Sequence, residues 1–244
     1  MSGHSKWSTI KRQKEATDKK KGATFTKLSR AITIAIRQSG GDASPESNFR
    51  LRLAIEKARA ANMPKENITR AIERASGNRG GEGLEEITYE GYGPSGVGII
   101  VQVATDNKQR TGQEIRNIFD RSGGSLASPG SVSYNFDPFG QLIVTSIKPQ
   151  EKAILELIDL GVEDVEITAS GIEVFVQPAH LSATREKIAA AGYNIIETEN
   201  ILHPKATIAI TDGHEAKKVI QLLETLEQQD DVQQVFTNAD LPAA

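Results

Sequence analysis

The sequence predicts an α+β protein: a basic N-terminal domain of three helices followed by two ferredoxin-like α/β domains, the last one inserted into the middle one. Three observations carry this. Apolar residues recur at helical spacing in three short stretches before residue 78, and the period then changes. Charge changes sign at the same place: through Asn78 there are 17 Lys and Arg against 7 Asp and Glu, a net of +10, and from Arg79 onward 12 against 25, a net of -13. Beyond residue 138 the order strand, helix, strand, strand, helix, strand runs through about sixty residues, which is the ferredoxin-like pattern.

The first helix is read from Phe25, Leu28, Ile32, Ala35 and Ile36, and it stops at Gly40-Gly41. Lys27, Arg30 and Arg37 fall on a separate stripe, expected to continue a basic surface. The second helix starts either at Ser44-Pro45-Glu46 or with Asn48 as N-cap. Leu51, Ala54, Ile55, Ala58 and Ala61 face inward, and Arg50, Arg52, Lys57 and Arg59 line the remainder. Pro64 opens a third helix, with Ile68, Ala71, Ile72 and Ala75 inward and Gly77 ending it. The glycine-rich run from Asn78 to Gly83 reads as a linker.

Strands follow at Ile87 to Tyr92 and Val97 to Ala104, joined by the turn Gly93-Pro94-Ser95-Gly96. Thr111 to Ser122 reads as a helix closed by Gly123-Gly124, Ser125 to Ser131 as a surface loop, and Ser131 to Phe136 as a strand. The compact series comes next: strand Gln141 to Ile147, helix Pro149 to Leu160, strands Val165 to Ala169 and Ile172 to Gln177 joined near Ser170-Gly171, helix Leu181 to Ala191, strand Asn194 to Leu202. The end returns to the earlier theme with strand Thr207 to Thr211, helix Gly213 to Gln228 and strand Val232 to Thr237. Pairing the βαβ of 97 to 136 with the βαβ of 207 to 237 makes the second ferredoxin-like sheet. The expected domains are therefore 1–78, 79–137 with 204–244, and 138–203, with continuous tandem domains as the alternative.

Composition is ordinary, with 38% hydrophobic and 25% charged residues and a formal net charge of -3. No apolar run approaches the roughly 20 residues that span a bilayer, and the N-terminus has charge without the apolar core of a secretory signal. Cysteine is absent, which excludes disulfides and thiolate metal sites and suits a reducing cytoplasm. His4, His180, His203 and His214 are far apart and lack metal-ligand spacing, so neither a metal nor another cofactor is expected. Glu163, Asp164 and Glu166 cluster, but alternate through a turn and strand as a solvated face does.

The first thirty residues carry Lys6, Lys11, Arg12, Lys14, Lys19, Lys20, Lys21, Lys27 and Arg30 against Glu15 and Asp18. Like charges at that density resist folding alone and call for an acidic partner. Trp7, the single Trp of the chain, sits among these cations, as base stacking requires. Phosphate contacts are made by a local surface rather than by mean charge, so the near-neutral total does not argue against nucleic acid. A membrane is disfavoured because the arm has no wide apolar face.

Further along, the loop Thr105 to Thr111 lies between a strand and a helix N-terminus. Capping by Asp106, Asn107 or Thr111 is its preferred reading; phosphate contacts by Lys108 and Arg110 are the alternative. The glycines of 91 to 98 join two strands and lack the Lys-Ser/Thr ending of a nucleotide loop. No paired acid and base or nucleophile with a partner His stands out, so no enzyme and no small-molecule substrate are expected.

Several long ordered motifs resemble the YebC/PmpR family: GHSKW at 3–7, FTKLSRAI at 25–32, GGD at 40–42, RLRLAIEKARAANMPKENI at 50–68, RAIERASG at 70–77, YEGYGPSGVGIIV at 89–101 and TDNKQRT at 105–111. The family includes a mitochondrial translational activator of cytochrome oxidase. The resemblance implies a helical N-terminal domain followed by two α/β domains, a cytoplasmic protein, and transcriptional regulation through DNA or, alternatively, ribosome-associated translation through ribosomal RNA. It also implies that His4, Ser5, Lys6 and Trp7, with the basic residues of the arm, belong to the functional surface. Phe49 stands where relatives often place Pro.

Overall fold

The computed structural model describes residues 21–77, 83–168 and 171–242. Residues 1–20, 78–82, 169–170 and 243–244 lie outside the described residues. Three helices come first and two four-stranded sheets follow, so the chain has the mixed helix and sheet architecture its pattern predicts.

The helical head consists of α1 (Lys21–Gln38), α2 (Phe49–Ala60) and α3 (Lys65–Ser76). Its core gathers Leu28, Ile32, Ala35 and Ile36 of α1 with Leu51, Ile55 and Ala58 of α2 and Ile68, Ala71 and Ala75 of α3, which are the inward positions of the helical period. α1 ends where Gly40 and Gly41 take positive φ, with Gly41 N–H returning to Ile36 O at 2.9 Å. Of the two starts open for α2, the structure selects Asn48: its side chain accepts from Leu51 N at 3.0 Å. Pro64 is the cap residue just outside α3, so the helix starts at Lys65, one residue after the expected first position.

The first sheet has the antiparallel order β3-β1-β2-β9, from β1 (Glu85–Tyr92), β2 (Gly98–Thr105), β3 (Ser125–Ala127) and β9 (Val232–Thr237). Helices α4 (Lys108–Arg121) and α7 (Gly213–Gln228) cover one face, burying Ile115, Phe119, Val219, Leu222 and Leu226 against Ile99, Val101 and Val103.

Two expected strands are corrected here. Residues Ser131 to Phe136 do not pair in this sheet: Ser133–Asn135 is a short 3-10 turn, and the crossover from β2 through α4 ends instead in β3, inside the stretch read as a loop. The reason is Glu90, whose buried carboxylate takes the N–H groups of Gly130, Val132 and Ser133 that a strand would give to a neighbour. The stretch Thr207 to Thr211 contributes only β8 (Ile208–Ala209), which pairs in parallel with β10 (Ala239–Asp240) outside the main sheet. The fourth strand of the first sheet is β1 rather than this segment, so its strand order departs from the ferredoxin-like one.

The second sheet follows the predicted pattern. Strands β4 (Phe136–Thr145), β5 (Asp164–Thr168), β6 (Gly171–Val176) and β7 (Asn194–Pro204) take the order β5-β6-β4-β7, with α5 (Gln150–Asp159) and α6 (Leu181–Ala190) as crossovers. This places the first strand beside the third and the last on an edge, as a ferredoxin-like sheet requires. All four strands lie in the chain between β3 and β9. The faces of the two sheets that lack helices meet through Ile100 and Phe236 on one side and Phe175 and Ile201 on the other, with Val132 and Phe136 between.

Candidate nucleic-acid interface

Of the residues expected to touch nucleic acid, His4, Ser5, Lys6, Trp7, Lys11, Arg12, Lys14, Lys19 and Lys20 lie outside the described residues. Lys21 opens α1. Lys27 and Arg30 are placed by the helical period: with Leu28 and Ile32 turned into the head core, they lie side by side one turn apart.

That stripe is turned toward the end of α7. Lys27 Nζ donates to Glu227 O, and Arg30 Nη1 donates to Asp230 O at 2.7 Å and to Asp231 Oδ1 at 2.7 Å. The Asp231 side chain is only 3% exposed. Its other oxygen takes the Thr111 hydroxyl at 2.5 Å and Arg110 at 3.0 Å, while Thr111 meets Thr105 at 2.7 Å. Burial pushes the Asp231 carboxyl up, but Thr111, Arg110 and Arg30 outweigh it and hold the group below the usual carboxylate range. Around these residues lies an open cavity of about 450 Å³ lined by Arg30, Arg110, Glu114, Gln229, Asp230 and Asp231. Both of its cations, Arg30 and Arg110, are already held by Asp231.

The 105 to 111 loop is capped by Asn107, whose side chain accepts from Arg110 N at 3.0 Å. Arg110 also pairs with Asp106 at 2.8 Å. The structure thus brings Arg30 and Arg110 together on one carboxylate, whereas Lys108 stays exposed with its carbonyl accepting from Tyr89.

The head also leans on the second sheet. Glu56 pairs with Arg185 at 2.8 Å, Lys57 with Glu199 at 3.2 Å, and Arg52 lies 5.2 Å over the Phe49 ring, itself packed on the second-sheet core. This gives Phe49 a packing role in place of a helix-start signal. The exposed cations on α2 and α3 are Arg50, Lys57, Arg59, Lys65, Arg70 and Arg74, Arg70 beside Glu66 at 3.6 Å. The last three were legible as the outward face of α3, interleaved with Glu66 and Glu73. Asp231 was not: nothing in its neighbourhood along the chain distinguishes it from other surface carboxylates.

Among the described residues no group of three or more His, Cys, Asp or Glu is placed to hold a metal ion. No described helix is long and apolar enough to cross a membrane. His203 is packed between Phe139 and Phe175, with ring centroids at 5.8 and 5.1 Å, and burial lowers its pKa.

Two family patterns match this chain. One, described as the TACO1/YebC protein N-terminal domain, covers residues 5–78, and the other, the TACO1/YebC second and third domain, covers residues 84–239. Proteins named "Probable transcriptional regulatory protein" are similar along the full length. The one from Moorella thermoacetica is 49% identical over 247 residues, spanning 100% of this chain and 97% of its own. The one from Dictyoglomus turgidum is 47% identical over 244 residues, spanning 99% and 97%. Among solved structures, a conserved hypothetical protein from Aquifex aeolicus superposes with a TM-score of 0.84 at 40% identity, covering 93% of each chain.

Proposed function

The chain belongs to the TACO1/YebC family, and from that premise we propose that it is a non-enzymatic, nucleic-acid-binding regulator of gene expression acting on DNA in the cytoplasm. The observation that carries this reading is the sorting of charge, a net of +10 through Asn78 and -13 beyond it. Curated relatives are named as transcriptional regulators. The contact surface is the arm, with His4, Ser5, Lys6, Lys11, Arg12, Lys14, Lys19, Lys20 and Lys21 at phosphates and Trp7 stacking, continued by Lys27 and Arg30. Lys108 and Arg110 are secondary contacts. The working division is a binding unit of 1–78, a middle unit of 79–137 with 204–244, and a unit of 138–203 for other contacts.

One observation favours ribosomal RNA as a second reading. The outward face of α3 alternates Lys65, Arg70 and Arg74 with Glu66 and Glu73, unlike a helix that reads base edges in a major groove. Backbone and shape recognition with one stacking Trp suits structured RNA, and a ribosome-associated translation factor would use the same surface.

The test is binding of the full chain to a DNA duplex and to a structured RNA at several salt concentrations, with Lys19, Lys20 and Lys21 replaced by Ala. The triple variant is expected to bind more weakly and to flatten the slope of log K against log salt by about 1 per lost phosphate contact. An unchanged slope removes the arm from the surface. Tighter binding of RNA, with salt-sensitive co-sedimentation with ribosomes, selects the second reading.

A further inference from the structure

Lys27 and Arg30 serve two partners. They stand on the stripe of α1 that a polyanion would meet, yet both are turned onto the end of α7. α7 carries no basic residue in its last turn, so the partial negative charge of its final carbonyls has no local compensation. The head supplies it through Lys27 on Glu227 O and Arg30 on Asp230 O and Asp231.

The arrangement is built to let go. When Arg30 leaves, Asp231 keeps Arg110 and Thr111, so no buried carboxylate is stranded, which is the event that makes breaking a buried pair costly. The apolar cluster of the head closes on itself, with Phe49 packing across onto the second-sheet core. Beside Ile34, buried on the same stripe outside the head core, the remaining contacts are polar: Arg37 donates to Leu84 O, and the Lys57–Glu199 and Arg185–Glu56 pairs lie at partly exposed edges. Edge pairs of this kind are individually weak and screened by salt.

We propose that the clamp of Lys27 and Arg30 on the α7 end and Asp231 is an autoinhibitory contact, which nucleic acid must displace to reach α1. This rests on the nucleic-acid reading above and adds its regulation: phosphates and the body of the protein compete for the same two side chains. The acidic body acts as an internal mimic of the ligand. Partners that bind the α7 end would then release the head.

The chain has no cysteine, so Cys introduced at the exposed positions Glu73 on α3 and Gln109 on α4 carries spin labels at two known places. Distances between them are measured by pulsed electron paramagnetic resonance in the full-length protein, in Asp231→Asn and in Arg30→Gln, with and without a mixed-sequence DNA duplex whose affinity is measured in parallel. Asp231→Asn leaves every head cation in place. It is expected to lengthen and broaden the distances without DNA and to tighten DNA binding about tenfold, the equivalent of removing one competing charged hydrogen bond. Arg30→Gln is expected to open the clamp without that gain, because it also removes a phosphate contact. Adding DNA to the unsubstituted chain should lengthen the distances, a readout independent of any variant's folding. Unchanged distances in both variants and on adding DNA overturn the clamp. An opened Asp231→Asn that binds DNA no more tightly overturns its inhibitory role. If the variant opens and neither protein binds DNA or RNA, the nucleic-acid reading itself falls, and the regulatory role falls with it.

Discussion

Glu90 shows how much one residue can reorganise. The residue is 6% exposed, and its carboxylate accepts from Gly130 N at 2.8 Å, Val132 N at 2.6 Å and Ser133 N at 2.8 Å. Burial raises its pKa, but those three amides outweigh burial and the folded value lies below the usual one. A depressed carboxylate contributes stability that is present above its unfolded pKa of about 4.3 and is lost as pH falls through the folded value. Glu90→Gln keeps the shape and removes the charge. It is expected to cost about 2 kcal/mol at neutral pH, and its urea midpoint should change less than that of the parent between roughly pH 5 and pH 3. Equal acid sensitivity of the two proteins would show that other carboxylates govern that range. Asp231 obeys the same sign rule, with Arg30 and Arg110 among the groups that hold it ionised.

An element is held by what closes its ends, and Asn48 closes two. Its Oδ1 caps α2 through Leu51 N, while Nδ2 donates to Ala35 O at 3.0 Å, Ser39 Oγ at 2.7 Å and Asp42 O at 2.8 Å, tying the end of α1 to the start of α2. Asp in its place retains the cap and loses the donors, setting a carboxylate against two carbonyls. Asn48→Asp is therefore expected to destabilise the head by about 1–3 kcal/mol, although Asp is ordinarily as good an N-cap as Asn. Chemical denaturation followed by helix ellipticity measures it, and a neutral result would mean that the cap alone matters. Helix positions were legible from spacing because each helix buries one stripe, as Leu28, Ile32, Ala35 and Ile36 do. Strand identity was less legible. Apolar alternation around 131 to 136 and 207 to 211 does not say whether the amides are taken by a sheet neighbour, by a side chain such as Glu90, or by a two-residue ladder.

At the scale of the whole molecule, the two sheets share a core. Phe236 of the first is 2% exposed and clusters with Phe175 and Ile201 of the second, and with Phe136 at the start of β4. Both sheets already carry helices on their other faces, which is why β2 is buried at nearly every position. Phe236→Ala is expected to cost about 3–5 kcal/mol. Amides of β4 and β6 should lose hydrogen-exchange protection together with those of β2 and β9. Loss confined to β2 and β9 would show that the sheets unfold separately. The head is attached differently, with its own core and three ion pairs that join it to the turn before β9, to β7 and to α6, so added salt should loosen it before it affects the body.

The sequence by itself determined the helical head, the ferredoxin-like second sheet and the opposition of a basic head to an acidic body. Each of these follows from local period, turn residues and running charge. Only the tertiary structure decided which strands complete the first sheet and where the α1 cations point. Both depend on partners far away in the chain: Lys27 meets Glu227 and Arg30 meets Asp231 across about two hundred residues. A pattern along the chain reports which face of a helix is polar. Whether that face meets water, nucleic acid or the protein's own acidic body is settled by what the fold sets opposite it.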